Sequence, residues 1–179
     1  MTIALLTSLL MVVAAPQQCP EHARHASAPA GAPSPYAGEQ DRAVKALSEA
    51  DMQAYLQGTG MGMAKAAELN GYPGPRHLLD NADALKLSAG QRSAIDAAYR
   101  RMKAAAVPLG RQIVEVEKQL DALFARGRAS EAVVERLTRE AARLQGLLRA
   151  VHLEAHLAVR SVLTPEQIEQ YGKLRGYGS

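Results

Sequence analysis

Residues 91–162 read QRSAIDAAYRRMKAAAVPLGRQIVEVEKQLDALFARGRASEAVVERLTREAARLQGLLRAVHLEAHLAVRSV, and this stretch decides the fold. In its first half apolar residues fall at Ile95, Tyr99, Met102, Ala106, Leu109, Ile113, Val116, Leu120 and Leu123. In its second half they fall at Val134, Leu137, Ala141, Leu144, Leu148, Val151, Ala155, Ala158 and Val162. The steps alternate between three and four, a mean of about 3.5 residues, which is the seam spacing of helices packed side by side. Between the halves lies Ala125-Arg126-Gly127-Arg128-Ala129-Ser130. Gly127 suits the left-handed residue that ends a helix, Ser130 is placed to accept the free N–H groups opening the next, and Glu131 is favourable in that first turn. So short a connection forces the arms antiparallel. The expectation is an all-α protein built on a helical hairpin over about 89–127 and 130–163, with short flanking helices. Pro108 removes one backbone hydrogen bond from the first arm and crowds the preceding turn, which predicts a curved hairpin.

The composition agrees with thin helix-on-helix seams. Aromatics make up 4% of the 179 residues and Trp is absent, too few for a thick globular core. Within residues 89–163 thirteen Lys/Arg stand against eight Asp/Glu. No aromatic platform or binding motif accompanies that surplus, so it reads as a solvated basic face and not as a nucleic-acid surface. The single cysteine, Cys19, excludes an internal disulfide and any CxxC redox or zinc motif.

Ahead of the hairpin the chain falls into three parts, read as a signal peptide over 1–15, a Pro/Ala-rich leader over 16–47 and an all-α domain over 48–175. The apolar run from Ile3 to Ala15 is too short to span a bilayer and matches the core of a secretory signal, with a small-residue cut before Ala15. No Lys or Arg precedes the run, and a buried N-terminal helix is the alternative. Gln18 stands where a lipoprotein signal requires a small residue, so Cys19 is not read as a lipid anchor. The leader is Pro, Ala, Ser and Gly with Cys19, His22 and His25, a composition that cannot bury a core. Order is expected from near Tyr36. Ser48 caps a short helix over Glu49 to Gln57 that Gly58 ends, and Met61 to Leu69 reads as a further helical stretch. Tyr72-Pro73-Gly74-Pro75 is a rigid turn into a helix over about Arg76 to Lys86, with Leu78, Leu79, Ala82 and Leu85 on one face and His77 off it. The last helix ends near Leu174, and Gly176 to Ser179 is expected to fray.

Two further signals bracket the hairpin. Leu87-Ser88-Ala89-Gly90-Gln91 and Leu163-Thr164-Pro165-Glu166-Gln167 each read as a hydroxyl N-cap with a glutamine three residues on, a capping box. These two Leu-Thr-x-x-Gln motifs, the first with Ser for Thr, and the hairpin between them resemble the Spy/CpxP family of periplasmic stress proteins. That family includes a branch of periplasmic heavy-metal sensors and zinc-resistance-associated proteins. The resemblance covers roughly residues 61–174. It implies a hooked four-helix bundle that usually forms a homodimer. It also implies either ATP-independent chaperoning of unfolded clients on a concave basic surface, or binding of a transition metal (Zn, Cu, Co or Ni) with a possible membrane regulatory partner. The sensing relatives take ligands from the first helix and from a pair four residues apart late in the hairpin. This chain carries His152 and His156 at the late positions but lacks the paired first-helix histidines of some sensors.

The residues themselves point the same way. His152 and His156 stand one turn apart on one flank of the second arm, a spacing at which two imidazoles can share one metal ion. His77 lies on a helix that must fold back over the hairpin and is the expected third ligand, with Glu154, Asp80 and Glu68 as orienting carboxylates. The competing reading is a pair of surface histidines with an unrelated third. Met52, Met61 and Met63 read as packing residues, since Met61 and Met63 point apart on a helix. No Ser/His/Asp, Cys/His or His-Glu-x-x-His constellation is present, and Gly58-Thr59-Gly60-Met61-Gly62 follows no strand, so no enzymatic chemistry is expected. For the chaperone alternative the client-binding candidates are Arg136, Arg139 and Arg143, with Leu153, Leu157 and Val107 as apolar edges.

Overall fold

A computed structural model describes residue 31 and residues 33–177. The expected signal peptide, Cys19, His22, His25 and the terminal Gly178 and Ser179 lie outside the described residues. The chain divides into two units, residues 1–37 and 38–179. In the first, Ala37 N–H donates to Ser34 O at 2.9 Å in a turn. All helices among the described residues lie in the second.

Six helices follow in order: α1 (Glu49–Gln57), α2 (Lys65–Glu68), α3 (Pro75–Asp80), α4 (Ala89–Ala125), α5 (Glu131–Arg160) and α6 (Pro165–Leu174). The long pair α4 and α5 is the expected hairpin, and the described residues contain no strand. Helix α4 runs unbroken through Pro108. Ala104, whose carbonyl loses its donor there, is exposed to solvent that can replace it. The connection turns at Gly127, whose φ of 62° is left-handed. Ser130 takes the N-cap backbone conformation, but its side chain makes none of the capping bonds its sequence position suggests. Helix α5 starts without that support.

Packing follows the seam for most of its length. Ala106, Ile113, Val116, Leu137, Ala141, Leu144 and Leu148 form one buried cluster together with Val114 and Tyr55 of α1. Past Leu148 the buried stripe departs in part from the expected register, although Ala155 stays buried in it. Ala158 is exposed, Val162 is half-buried, and His152, His156 and Val159 are buried instead. An α-helix drifts about 20° per heptad from a strict 3.5 repeat, and here the segments before α4 pack on the flank that this drift turns inward. A second cluster, Leu78, Ala82, Leu85, Leu87, Ile95, Ala98, Val159 and Tyr171, closes the open end of the hairpin.

The short helices are placed by local chemistry. Ser48 accepts from Asp51 N–H at 3.0 Å and Ser48 N–H donates to the Asp51 carboxylate at 3.2 Å, and α1 ends at the left-handed Gly58. Helix α1 lies directly on α4 at Gly110, where a Cβ would overlap the Tyr55 carbonyl oxygen. Packing begins ahead of α1, since Val44 is fully buried and Leu47 rests on the first cluster. The expected helix over Met61 to Leu69 shrinks to the four residues of α2, because Met61 (φ 48°) and Gly62 (φ 73°) make a left-handed turn. The expected helix over Arg76 to Lys86 stops at Asp80. There Asn81 Nδ2 donates to the His77 carbonyl at 2.8 Å, a side-chain bond that competes with helix continuation.

Candidate functional site

On α5 the buried residues of the first cluster end at Leu148 and those of the second begin at Val159. His152 and His156 occupy the turns between, 3% and 8% exposed. Over them lies the segment from Gly58 to His77, which the left-handed turn at Met61 and Gly62 and the double-proline turn at Tyr72–Pro75 fold back across the hairpin. Between this segment and the hairpin lies a half-open cavity of about 480 Å³. His77, His152 and His156 all line it, so the structure brings the three sequence-predicted histidines to one space. Among the described residues no three His, Cys, Asp or Glu side chains are grouped tightly enough to hold a metal ion as they stand.

His156 is the best anchored of the three. Its Nδ1 lies 2.7 Å from the Tyr72 carbonyl oxygen. A carbonyl only accepts, so Nδ1 carries the proton and Nε2 keeps its lone pair. The glycine at position 74 makes room for the ring: a Cβ there would stand 3.1 Å from His156 Cε1 and 3.3 Å from Nε2. The Glu68 carboxylate sits 3.7 Å from His156 Nδ1. Its other oxygen accepts from Tyr171 OH at 2.5 Å and Tyr177 OH at 3.1 Å, tying α2 to α6 and to the residues after it. Tyr177, expected to fray, is therefore held. Burial and the Glu68 hydrogen bond push the Tyr171 phenol pKa up, so it stays a donor.

His152 is different. Its Nε2 is buried without a hydrogen-bond partner. Burial first, then the nearby His156 and Lys103, lower its pKa from the ordinary histidine value, so the ring is neutral. Leaving such a nitrogen unpaired costs about 1–3 kcal/mol, so a partner such as an ion or a water is called for at this place. Arg175 Nε, also from the cavity wall, is the other buried side-chain polar atom without a hydrogen bond among the described residues. It lies 3.5 Å from Glu68 Oε1, an ion pair without hydrogen-bond geometry.

The orienting carboxylates separate. Glu68 reaches the site, whereas Asp80 is exposed and pairs with Arg76 at 3.0 Å, and Glu154 is exposed and lines a different, smaller depression. Met52 and Met63 pack on the first cluster, while Met61 lines the cavity. Sequence reasoning did not bring Tyr99, Met102, Lys103, Arg175 and Tyr177 to the cavity, and only the three-dimensional fold does so. The Lys103 ammonium donates to the Gln57 carbonyl at its rim. Arg136, Arg139 and Arg143 lie elsewhere, exposed on α5, the nearest of them roughly 13 Å along the helix axis from His152 at 1.5 Å per residue. Arg139 pairs with Glu135 at 2.6 Å and Arg143 with Glu140 at 2.7 Å.

The two Leu-Thr/Ser-x-x-Gln motifs meet at the open end of the hairpin, beside the second core cluster. Ser88 and Thr164 each form a complete capping box with Gln91 and Gln167, and the two glutamine amides hydrogen-bond to each other at 2.8 and 3.2 Å. A family model described as LTXXQ motif family protein matches residues 77–175, more than half of the chain. No curated protein and no solved structure gives a significant match. The chain belongs to the LTXXQ motif family, that of the Spy/CpxP-like and ZraP-like periplasmic proteins.

Proposed function

We propose that this is an exported, periplasmic stress protein without enzymatic activity that binds a transition metal in the cavity over α5, through His152 and His156 with His77 as third ligand. The observation that carries the reading is the convergence of these three histidines, from α3 and α5, on one cavity. The donor chemistry fits the group. His156 presents an Nε2 lone pair, and the neutral His152 ring has a buried nitrogen without a partner. Imidazole nitrogens suit Zn, Cu, Co and Ni. The Tyr72 carbonyl bonded to His156 Nδ1 is the kind of outer contact that orients a metal-binding histidine. A bound ion would tie α3 to α5 and so couple metal occupancy to the position of the overlying segment. The apolar run at residues 3–15 supports export, as does membership of a generally periplasmic family.

Titration of the protein with Co(II), followed by visible absorption, tests this reading. Ligand-field bands should grow to a one-to-one endpoint in wild type and be lost in a His152→Ala/His156→Ala variant. An unchanged aqueous Co(II) spectrum in wild type would remove the proposal.

A second reading is supported by a separate surface. Phe124, Leu147 and Leu157 are exposed large apolar side chains on the hairpin, 63%, 44% and 58% accessible. With Arg136, Arg139 and Arg143, likewise exposed, they are the candidate contacts for metal-independent, ATP-independent binding of unfolded clients.

A further inference from the structure

A metal ion does not account for the size or the charge of the cavity. About 480 Å³ falls inside the ~300–1,000 Å³ range of small-molecule pockets. One part of the wall is apolar, from Met61, Ala64, Leu69, Pro75, Tyr99 and Met102. The charged part is cationic: Lys65, Arg76, Lys103 and Arg175 line it against the single carboxylate of Glu68. Glu68 is occupied by two phenols, Tyr171 and Tyr177, and Arg76 by Asp80. Lys103 has only a neutral partner, the Gln57 carbonyl, while Arg175 shares the Glu68 carboxylate at 3.5 Å with those phenols and donates Nη2 to Tyr177 OH. Lys103, half-buried beside an apolar wall, lacks a carboxylate to offset its desolvation, and the one carboxylate of the wall is already shared by two phenols and Arg175.

We propose that this cavity binds a small organic carboxylate with an apolar body, its carboxylate held by Lys103 and Arg175 and its chain lying against Met61, Ala64, Leu69 and Met102. The proposal goes beyond the metal reading and does not require it, since the anion is held by the cations and the metal by the imidazoles. Amphiphilic carboxylates fit both walls at once. A bare inorganic anion leaves the apolar wall unused, and an amine of the same length meets like charge.

The test is calorimetry of the whole chain with octanoate, octan-1-ol and octylamine, in EDTA so that metal binding plays no part. Octanoate should bind one to one and raise the melting temperature, and the alcohol and the amine should bind about tenfold more weakly or worse, a difference of about 1.4 kcal/mol. Lys103→Met should weaken octanoate by a similar factor. Gly60→Leu is a second variant, its fold checked by the apo melting temperature: a Cβ at Gly60 meets only His152 Nδ1, at 4.0 Å, and the longer side chain is expected to fill part of the cavity that Gly60 lines. It should abolish octanoate binding with the apo melting temperature preserved. The proposal is overturned if octanoate gives no saturable heat, if octylamine binds as well, or if Gly60→Leu binds octanoate like wild type.

Discussion

Gln91 and Gln167 face each other across the open end of the hairpin, each amide donating to the other at 2.8 and 3.2 Å. Each also closes its own capping box, accepting from Ser88 N–H at 2.9 Å and Thr164 N–H at 3.0 Å. The spare N–H groups reach further, from Gln91 to the Val162 carbonyl at 2.8 Å and from Gln167 to the Leu85 carbonyl at 3.3 Å. Two local helix caps are thereby joined into one clasp between the starts of α4 and α6, beside the second core cluster. The clasp explains why the motif needs glutamine: a glutamate accepts in the capping box but has no N–H to donate across.

The clasp predicts coupling. Gln91→Ala and Gln167→Ala should each cost about 1 kcal/mol or somewhat more, the scale of a lost cap and one or two hydrogen bonds. The double variant should cost less than their sum by roughly 0.5 kcal/mol or more, as residues in one network do. Urea denaturation of the four proteins measures this, and strictly additive losses would mean the amides do not act together.

Two helix-interior glycines should respond with opposite signs to the same change. Gly146→Ala on α5 meets nothing within 4 Å and should stabilise by up to about 1 kcal/mol through helix propensity. Gly110→Ala on α4 drives a methyl into the Tyr55 carbonyl and should destabilise by about 1–3 kcal/mol as α1 is pushed off. Thermal melts of the pair check the contact, and a stabilised Gly110→Ala would mean α1 does not sit there.

Acid should weaken the apo fold through His152. Its folded pKa is lowered, chiefly by burial, while the unfolded chain keeps a value near 6.5. Between those values the unfolded state binds more protons, so stability falls as pH drops below about 6.5 and is unaffected by this group above it. Melting temperatures measured from pH 8 to 5 in EDTA should decline more steeply for wild type than for His152→Gln. Parallel curves would contradict the buried, neutral assignment.

If the exposed arginines hold clients, aggregation suppression should weaken with added salt, because free charges are screened beyond about 8–10 Å at physiological ionic strength. The Glu135–Arg139 and Glu140–Arg143 pairs already reduce the free charge of this face. Replacing Arg136, Arg139 and Arg143 by Glu should reduce suppression further, and a light-scattering assay indifferent to both changes would leave only apolar contact at Leu147 and Leu157.

What the sequence made legible was local. The seam from Ala106 to Leu148, the N-cap at Ser48, the boxes at Ser88 and Thr164 and the turn at Gly127 depend on residues within one or two turns of each other, and they stand. The histidine pair and His77 were legible as candidates because a fold-back of the chain before α4 was implied by connectivity. The rest was set by contacts distant in sequence. Nothing near Ala158 signals that the buried face has rotated to Val159, since that depends on what packs over His152 and His156. The roles of Lys103, Arg175 and the Tyr72 carbonyl arise only where α4, the end of α6 and the proline turn meet. Ser130 looked like a cap because its residue type and position allow one, yet its hydroxyl makes no such bond.

The central claim is that His152 and His156 hold a metal together, and calorimetric titration of Zn(II), Cu(II), Co(II) and Ni(II) into wild type, the two single alanine variants, their double variant and His77→Ala tests it most directly. Wild type should bind at least one of these ions one to one, with an affinity that fades in acid as protons compete for the imidazoles. Each of His152→Ala and His156→Ala should weaken binding by about tenfold or more, about 1.4 kcal/mol per factor of ten, and the double variant should show no saturable heat. His77→Ala should also bind more weakly if α3 supplies the third ligand. A double variant that binds as tightly as wild type would contradict the account, because the metal would then sit somewhere other than the cavity over α5.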